Sequence, residues 1–508
     1  LPDIIQEALT KTTKGTFLVL CGGACGALFA FAARMLLVRH ISTSDYGLYS
    51  LALAATSILS TLALAGLPEG VPRLIAYYRN RDESRVGSLT GFAVLFSLAA
   101  GIAAAAAGIA AAGFIARHLF HDPQLAAPLR ILCLSLPALN WLGIIPAVYR
   151  GFGRADVKAI FQDGLRNILY LLALAFPALL GLGFNAYLYA YPLSLIVTAA
   201  GAALFFARRP PEQTAGPIPR QYRLAAGEAL GFSLPLFGTG LSFLIINWMD
   251  TLLLGYYKNA ATVGLYGAAQ PPASLLQFFL GAAVFIYMPV AAQLYSHSAT
   301  DELRRTYALL TKWIFSATIP FLLVMLIFAE ALINTLFGPA YLPAAPALRI
   351  LALGMLVHTL LGPNGAALVA LGRPRLSFMD DAIAAVLNLL LNLALIPRWG
   401  LTGAATASAS ALAVTNVLRS WQLYALIKIN PFTKTLVKSA VLSLIVLSAA
   451  GLFARRINLI SIAFPVILIF ISPLLQIMIM KITKSIDYEE RDIINLLTGR
   501  LHRNVERP

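Results

Sequence analysis

The sequence predicts an all-α, polytopic integral membrane protein of about 14 transmembrane helices, built as two six-helix lobes followed by two further helices. Three observations carry that expectation. Only 12% of the 508 residues are charged, 59% are hydrophobic, and the mean hydropathy is +0.78; a soluble domain has about 25% charged residues, and a soluble chain this apolar would expose large adhesive patches. The apolar residues fall in runs of about 20, the length that crosses about 30 Å of hydrocarbon as a helix. Finally, short motifs recur in the same order at a nearly constant offset.

The spans lie near 15–38, 45–68, 88–115, 125–148, 159–181, 185–207, 227–254, 262–292, 306–330, 344–371, 377–396, 401–426, 436–454 and 459–481. Ala, Leu and Gly dominate them without period-2 alternation, which excludes an outer-membrane barrel. The first run is too long for a secretory signal, and no small-residue cleavage site precedes "RHISTSDYG", so it is expected to be retained. Cys21, Cys25 and Cys133 fall inside spans. Cys21 and Cys25 sit one turn apart without carboxylate or histidine company, so all three read as small packing residues.

The net charge of +16 is distributed by loop. About 26 of the 38 basic residues fall on the side that holds both termini, and six, including Arg39, Arg117 and Lys258, fall on the other. The basic excess therefore marks membrane topology and not a nucleic-acid partner. The positive-inside rule puts both termini on the cytoplasmic side of a cell (inner) membrane, and the clean split requires an even number of spans. The charged tail after 482 reads as a surface helix beside anionic membrane lipids.

"GLY" occurs at Gly47 and again at Gly264, each time opening an apolar run. "APLRIL" and "PALRIL" place arginines at Arg130 and Arg349, and the Gly-Arg pairs Gly153-Arg154 and Gly372-Arg373 follow at the same offset of 219. Between them, "SLTGF" at 88–92 resembles "LLTKW" at 309–313. Such an offset spans six helices, an even number, so both copies have the same topology: a parallel repeat, a transporter architecture with its path between the halves. The expected divisions are 1–210 (helices 1–6), 211–430 (helices 7–12), 431–482 (helices 13–14) and a cytoplasmic tail, 483–508.

Two stretches carry a family resemblance: "RHISTSDYGLYSLALAATSILSTLALAGLPEGVPRLIAYY" at 39–78 and "MDTLLLGYYKNAATVGLYGAA" at 249–269. With them the chain resembles the polysaccharide transporter (O-antigen flippase-like) family, in the superfamily of the lipid II flippases and the multidrug and toxin extrusion antiporters. It resembles the antiporters less, since they usually have twelve spans. It departs from the lipid II flippases, which usually carry Asp-Ala-Phe after the first span, where this sequence reads Asp45-Tyr46-Gly47.

Six basic residues lie at membrane depth: Arg34, Arg130, Arg166, Lys312, Arg349 and Arg419. A charge at mid-span costs about 2.5–3.5 kcal/mol even on lenient scales, so each needs protein or water around it. Arg130, Lys312 and Arg349 lie near helix ends and can snorkel. Arg34 is deeper. The resemblance implies that the first helices of each lobe line the cavity, where a guanidinium fork would meet a lipid-linked phosphate; lobe packing is the alternative. Arg166 has Asp163 three residues before it, which reads as a self-neutralised pair on one helical face. Asp250 is costly in "FLIINWMDTLLLG" unless paired, protonated or bound to a coupling Na+ or H+. His358 can titrate or sit in a core. Asp380 and Asp381, after Gly372-Arg373, echo the Asp163–Arg166 pair in the second half. Asn247, Gln270, Asn364, Asn388 and Asn392 can bind sugar hydroxyls or glue helices.

There is no P-loop, and no outer loop is long enough for a sugar-donor site. A non-enzymatic transporter follows: a flippase carrying a polyprenyl-(di)phosphate-linked oligosaccharide such as an O-antigen unit from the inner to the outer leaflet by alternating access, with ion or potential coupling and polysaccharide assembly proteins as partners. Two alternatives are an ion-coupled exporter of small amphiphiles and, more distantly, a membrane glycosyltransferase. A cationic cavity favours the first reading, an anionic one the second, and a sugar-nucleotide pocket the third.

Overall fold

A computed structural model describes residues 22–23, 25–154, 156–211 and 219–456. The expected span at 459–481, the tail after it, Cys21 and the loop 212–218 lie outside the described residues. The described chain is helical, without a strand among its residues. Helix α1 covers residues 25–40. Ser42 then caps α2 (Thr43–Leu64), accepting the backbone N–H of Asp45 at 3.1 Å. A left-handed pair, Ala65-Gly66, turns the chain into α3 (Leu67–Tyr78), where a proline in the first turn leaves no useful donor unpaired. Asp82 caps α4 (Glu83–Phe114), and the Arg85 N–H and the Ser84 hydroxyl hold its carboxyl below the usual carboxylate range.

Helix α4 runs into a π-helical turn, Ile115–Leu119. Next come α5 (Ala126–Cys133) and α6 (Leu136–Gly151), bent by 44° to one another. The single turn α7 (Asp156–Lys158) leads through a second π-helix, Ala159–Leu165, into α8 (Arg166–Leu180), followed by α9 (Phe184–Arg208). The rest of the chain forms α10 (Pro219–Tyr257), α11 (Ala260–Ser296), α12 (Thr300–Ile327), α13 (Ala329–Phe337), α14 (Ala345–Leu361), α15 (Asn364–Ala370), α16 (Pro374–Trp399), α17 (Leu401–Ile427) and α18 (Lys434–Arg456). Among the described residues, ten helices are long and apolar enough to cross a membrane, or eleven if the bent pair α5–α6 is one span. With α1 and α18 also helical, this is consistent with the expected count of about fourteen, of which the span at 459–481 lies outside the described residues.

The sequence repeat is visible as repeated backbone geometry. Ser42 and Asn259 are 217 residues apart, and each side chain accepts the N–H three residues on, from Asp45 and Thr262. Gly153 and Gly372 both take left-handed φ, +77° and +71°. Around them, Arg154 and Arg373 donate their N–H to Tyr149 O (2.9 Å) and Leu368 O (3.0 Å), 219 residues apart, closing the same helix-ending turn twice. Gly181 and Gly400 repeat the device at φ +62° and +55°. These glycines stand where an L side chain would be strained, which is why the "GR" echo survives in a sequence otherwise free to drift among Ala and Leu.

Contacts divide the chain into two compact units, Leu1–Ala268 with Leu336–Tyr341 and Asn388–Ala404, and Ala269–Thr335 with Leu342–Leu387 and Ala405–Pro508. In the first, α3, α4, α6 and α10 share a core that includes Leu67, Val71, Ile75, Leu89, Ile144 and Val148. In the second, Tyr287 and Tyr307 meet edge to face (ring centroids 6.0 Å apart) over Leu368, Leu371 and Leu423.

The first unit also contains the point where the two "GLY" words meet. A Cβ on Gly47 would collide with the carbonyl of Ala260, and a Cβ on Gly264 with that of Thr43. The N-terminal turns of α2 and α11 therefore cross backbone to backbone, a contact only glycine permits. Tyr46 reinforces the crossing by donating its hydroxyl to Gly267 O at 3.2 Å.

Candidate functional site

Helix α1 is placed by Gly26, whose missing side chain lets it lie against the backbone of Asp163 in the π-helix. Asn167 fastens the crossing, donating to Gly26 O (3.1 Å) and Asp163 O (2.8 Å). Arg34 lies eight residues, about two turns, further along the same face. There it lines a cavity of about 220 Å³ in the first unit, together with Arg166, Tyr46, Tyr49, Tyr170 and Tyr191. Tyr49 and Tyr170 share a hydroxyl–hydroxyl hydrogen bond of 2.8 Å, and Tyr191 stands edge-on to both rings. The described lining holds two guanidinium groups and no carboxylate. Arg34 makes no hydrogen bond or ion pair among the described residues.

The expected Asp163–Arg166 pair does not form. Residues 159–165 are π-helical, with more than four residues per turn, so an (i, i+3) pair no longer shares a face. Arg166 reaches instead to the Tyr191 hydroxyl at 3.5 Å and lies 6.0 Å from that ring. The turn that breaks the pair is also what brings Arg166 to the cavity.

Asp250 is buried in α10 (3% exposed) inside the same unit. One carboxylate oxygen accepts from Asn392 at 2.5 Å and from Asn388 at 3.4 Å; the other accepts from the Tyr266 hydroxyl. Asn392 Nδ2 also reaches Asn388 Oδ1 at 3.0 Å, and Asn392 Oδ1 is buried without a partner among the described residues. Every contact named here donates to Asp250, the pattern that suits an ionised carboxylate. Tyr49 and Tyr266 are the tyrosines of the two "GLY" words. One belongs to a cluster around arginines and the other to a cluster around an aspartate, so the repeat has taken opposite charges at corresponding places.

The other expected residues are dispersed. Asn247 is half-buried in α10 and Gln270 half-buried in α11. Asn364 is buried and donates to Asn416 O (3.0 Å) and Ser420 Oγ (3.2 Å). Asp381 forms an ion pair with Arg419 at 2.6 Å, and His358 Nδ1 is buried without a partner among the described residues. Arg349 pairs with Glu330 at 2.5 Å, while Arg130 is exposed. Lys312, expected to snorkel, is instead 1% exposed, because α12 is buried over most of its length. Sequence reading missed the tyrosines of the cavity. Their signal was present: Tyr49 ends the repeated word itself, and Tyr46 stands immediately before it, one turn away. The (i, i+4) spacing of Asn388 and Asn392 likewise pointed to one face.

A sequence model of the polysaccharide biosynthesis protein family matches residues 12–295. An uncharacterised membrane protein of Methanocaldococcus jannaschii is 24% identical over 439 residues, covering 82% of this chain and 85% of that one. A probable low-salt glycan biosynthesis flippase of Haloferax volcanii is 28% identical over 184 residues, covering 36% of this chain and 39% of that one. Among solved structures, the lipid II flippase MurJ in an inward closed conformation aligns with a TM-score of 0.67 at 13% identity, covering 94% of this chain and all of that one. An inward-facing multidrug resistance MATE family transporter aligns with a TM-score of 0.66 at 16% identity, covering 81% and 98%. At these identities the structural likeness establishes the fold alone, one shared with these multi-pass membrane proteins.

Proposed function

The chain belongs to the polysaccharide biosynthesis protein family, and on that premise we propose that it is a flippase moving a polyprenyl-(di)phosphate-linked oligosaccharide from the inner to the outer leaflet by alternating access. The observation that carries this reading is the Arg34 cavity. Two guanidinium groups without a carboxylate among the described lining make a site for an anion, and a phosphate offers the oxygens a guanidinium fork pairs best. Tyrosine hydroxyls and ring faces beside them suit sugar hydroxyls. Burying the two cations costs several kcal/mol, which a bound phosphate offsets and a cationic drug would worsen. The Haloferax relative, named as a probable glycan flippase, supports the same class of cargo.

The direct test reconstitutes the protein into vesicles with a fluorescent polyprenyl-diphosphate oligosaccharide and follows loss of signal to a membrane-impermeant quencher. Translocation faster than in protein-free vesicles is the expected result. Equal rates would reject the flippase.

Asp250, with Asn388 and Asn392, is the candidate site for a coupling cation, Na+ or H+. The substitution Asp250→Asn keeps the size of the side chain and removes its charge. It should leave passive flipping measurable while an imposed cation gradient no longer accelerates it. Persistence of gradient-driven acceleration in Asp250→Asn would move coupling elsewhere.

The charge distribution supports a cytoplasmic location for both termini. The loops at 79–87 and 208–223 carry three and four arginines, whereas 181–186 carries none. A cysteine at position 220 (Arg220→Cys) should resist an impermeant thiol reagent in intact cells and react once the membrane is opened. Labelling from outside would invert the topology.

A further inference from the structure

The second unit has its own ionisable cluster, between α16 and α17. Asp380 and Asp381 are adjacent, and a single guanidinium, Arg419, serves both. It is not shared equally. Arg419 Nη2 bonds Asp381 at 2.6 Å and reaches Ser377 O at 3.4 Å, whereas Nε stays 3.7 Å from Asp380 Oδ2, beyond hydrogen-bond distance. Asp380 is 0% exposed. Its Oδ1 accepts from Gln422 Nε2 at 2.8 Å, but its Oδ2, like the Arg419 Nε that faces it, has no hydrogen-bond partner among the described residues. Asp381, by contrast, has a side chain 46% exposed.

The surrounding groups sharpen the imbalance. Among the described residues, Gln422 Oε1 is buried and unpartnered, as is His358 Nδ1 on α14, an acceptor when the ring hydrogen sits on Nε2. Asn364 on α15 is already committed to α17. Arg373 and Arg375, at the start of α16, are exposed. Two carboxylates therefore face one cation that cannot give up its proton. If both were ionised, Asp380 would be a buried anion with one oxygen unsatisfied, a cost of several kcal/mol.

We propose that Asp380 is a proton-binding site, neutral while Arg419 is paired with Asp381, and that Arg419 acts as the switch. Oδ1 is the carbonyl oxygen held by Gln422, and Oδ2 carries the hydrogen. When the guanidinium turns from Asp381 to Asp380, the proton leaves Oδ2 and Asp381, half-exposed, takes it up. One O–H bond breaks, one forms, and the charge of the cluster is unchanged. This passes a proton between a buried and an accessible carboxyl by moving one side chain. The proposal rests on contacts within this unit and not on the cargo, so its test and the flipping assay can fail separately.

Infrared spectroscopy of the purified, reconstituted full-length protein at neutral pH tests it. The difference between wild type and Asp380→Asn should show one lost carboxylic-acid carbonyl band that shifts in D2O. An Asp380→Asn spectrum identical to wild type would overturn the assignment. Gln422→Leu, which keeps Asp380 and removes its donor, should move that band to higher frequency; an unmoved band also overturns it. Asp381→Asn should release Arg419 to Asp380 and abolish the band although Asp380 is present. Retention of the band there would overturn the switch.

Discussion

Arg34→Ala is expected to slow glycan export sharply while the protein still accumulates in the membrane. The guanidinium lines a cavity in which it has no hydrogen bond or ion pair among the described residues, so its removal leaves no buried anion behind. A charged hydrogen bond contributes about 1.5–3 kcal/mol, so losing the proposed contact to a substrate phosphate should slow export roughly ten- to hundredfold. Arg34→Lys keeps the charge, loses the fork, and should retain intermediate activity. The measurement is export per molecule of inserted protein. If Arg34 only packs helices, activity and protein level will fall together in both variants, and full export by Arg34→Ala removes the cavity assignment.

Gly47→Ala and Gly264→Ala should each destabilise the protein severely. At both positions the new methyl would overlap a carbonyl of the opposing helix, and backbone cannot rotate away as a side chain can. Overpacking a core typically costs about 1–3 kcal/mol; a clash with backbone belongs at or above the top of that range, against a whole-domain stability of about 5–15 kcal/mol. Gly231 is the control. It is a helical glycine in α10, and a methyl group there would meet nothing within 4 Å, so Gly231→Ala should be neutral or stabilising by up to about 1 kcal/mol. Thermal unfolding in detergent, followed by intrinsic fluorescence, separates the three. A midpoint for Gly47→Ala equal to wild type would mean that α2 and α11 do not cross as described.

Membrane residence and an all-helical fold were legible from composition and run length alone, because transfer into hydrocarbon is a property of each segment and needs no partner. The repeat was legible for a related reason. The left-handed glycines of the two Gly-Arg pairs, Gly153 and Gly372, act within a few residues of themselves, so their constraint is written locally. Tertiary structure alone decided which charges meet. Arg166 was read with Asp163 because an α-helix stacks residues three apart, and a π-helical turn rotated that face away. Asp250 stood alone in the sequence, and the fold brought it Tyr266, 16 residues on, and Asn392, 142 residues on. Lys312 was placed at a helix end by sequence and inside the protein by its neighbours. Side-chain pairing in a bilayer depends on distance across helices, and distance across helices is set by packing. A single sequence records it only where, as at Gly47 and Gly264, the approach is so close that one residue type can occupy the spot.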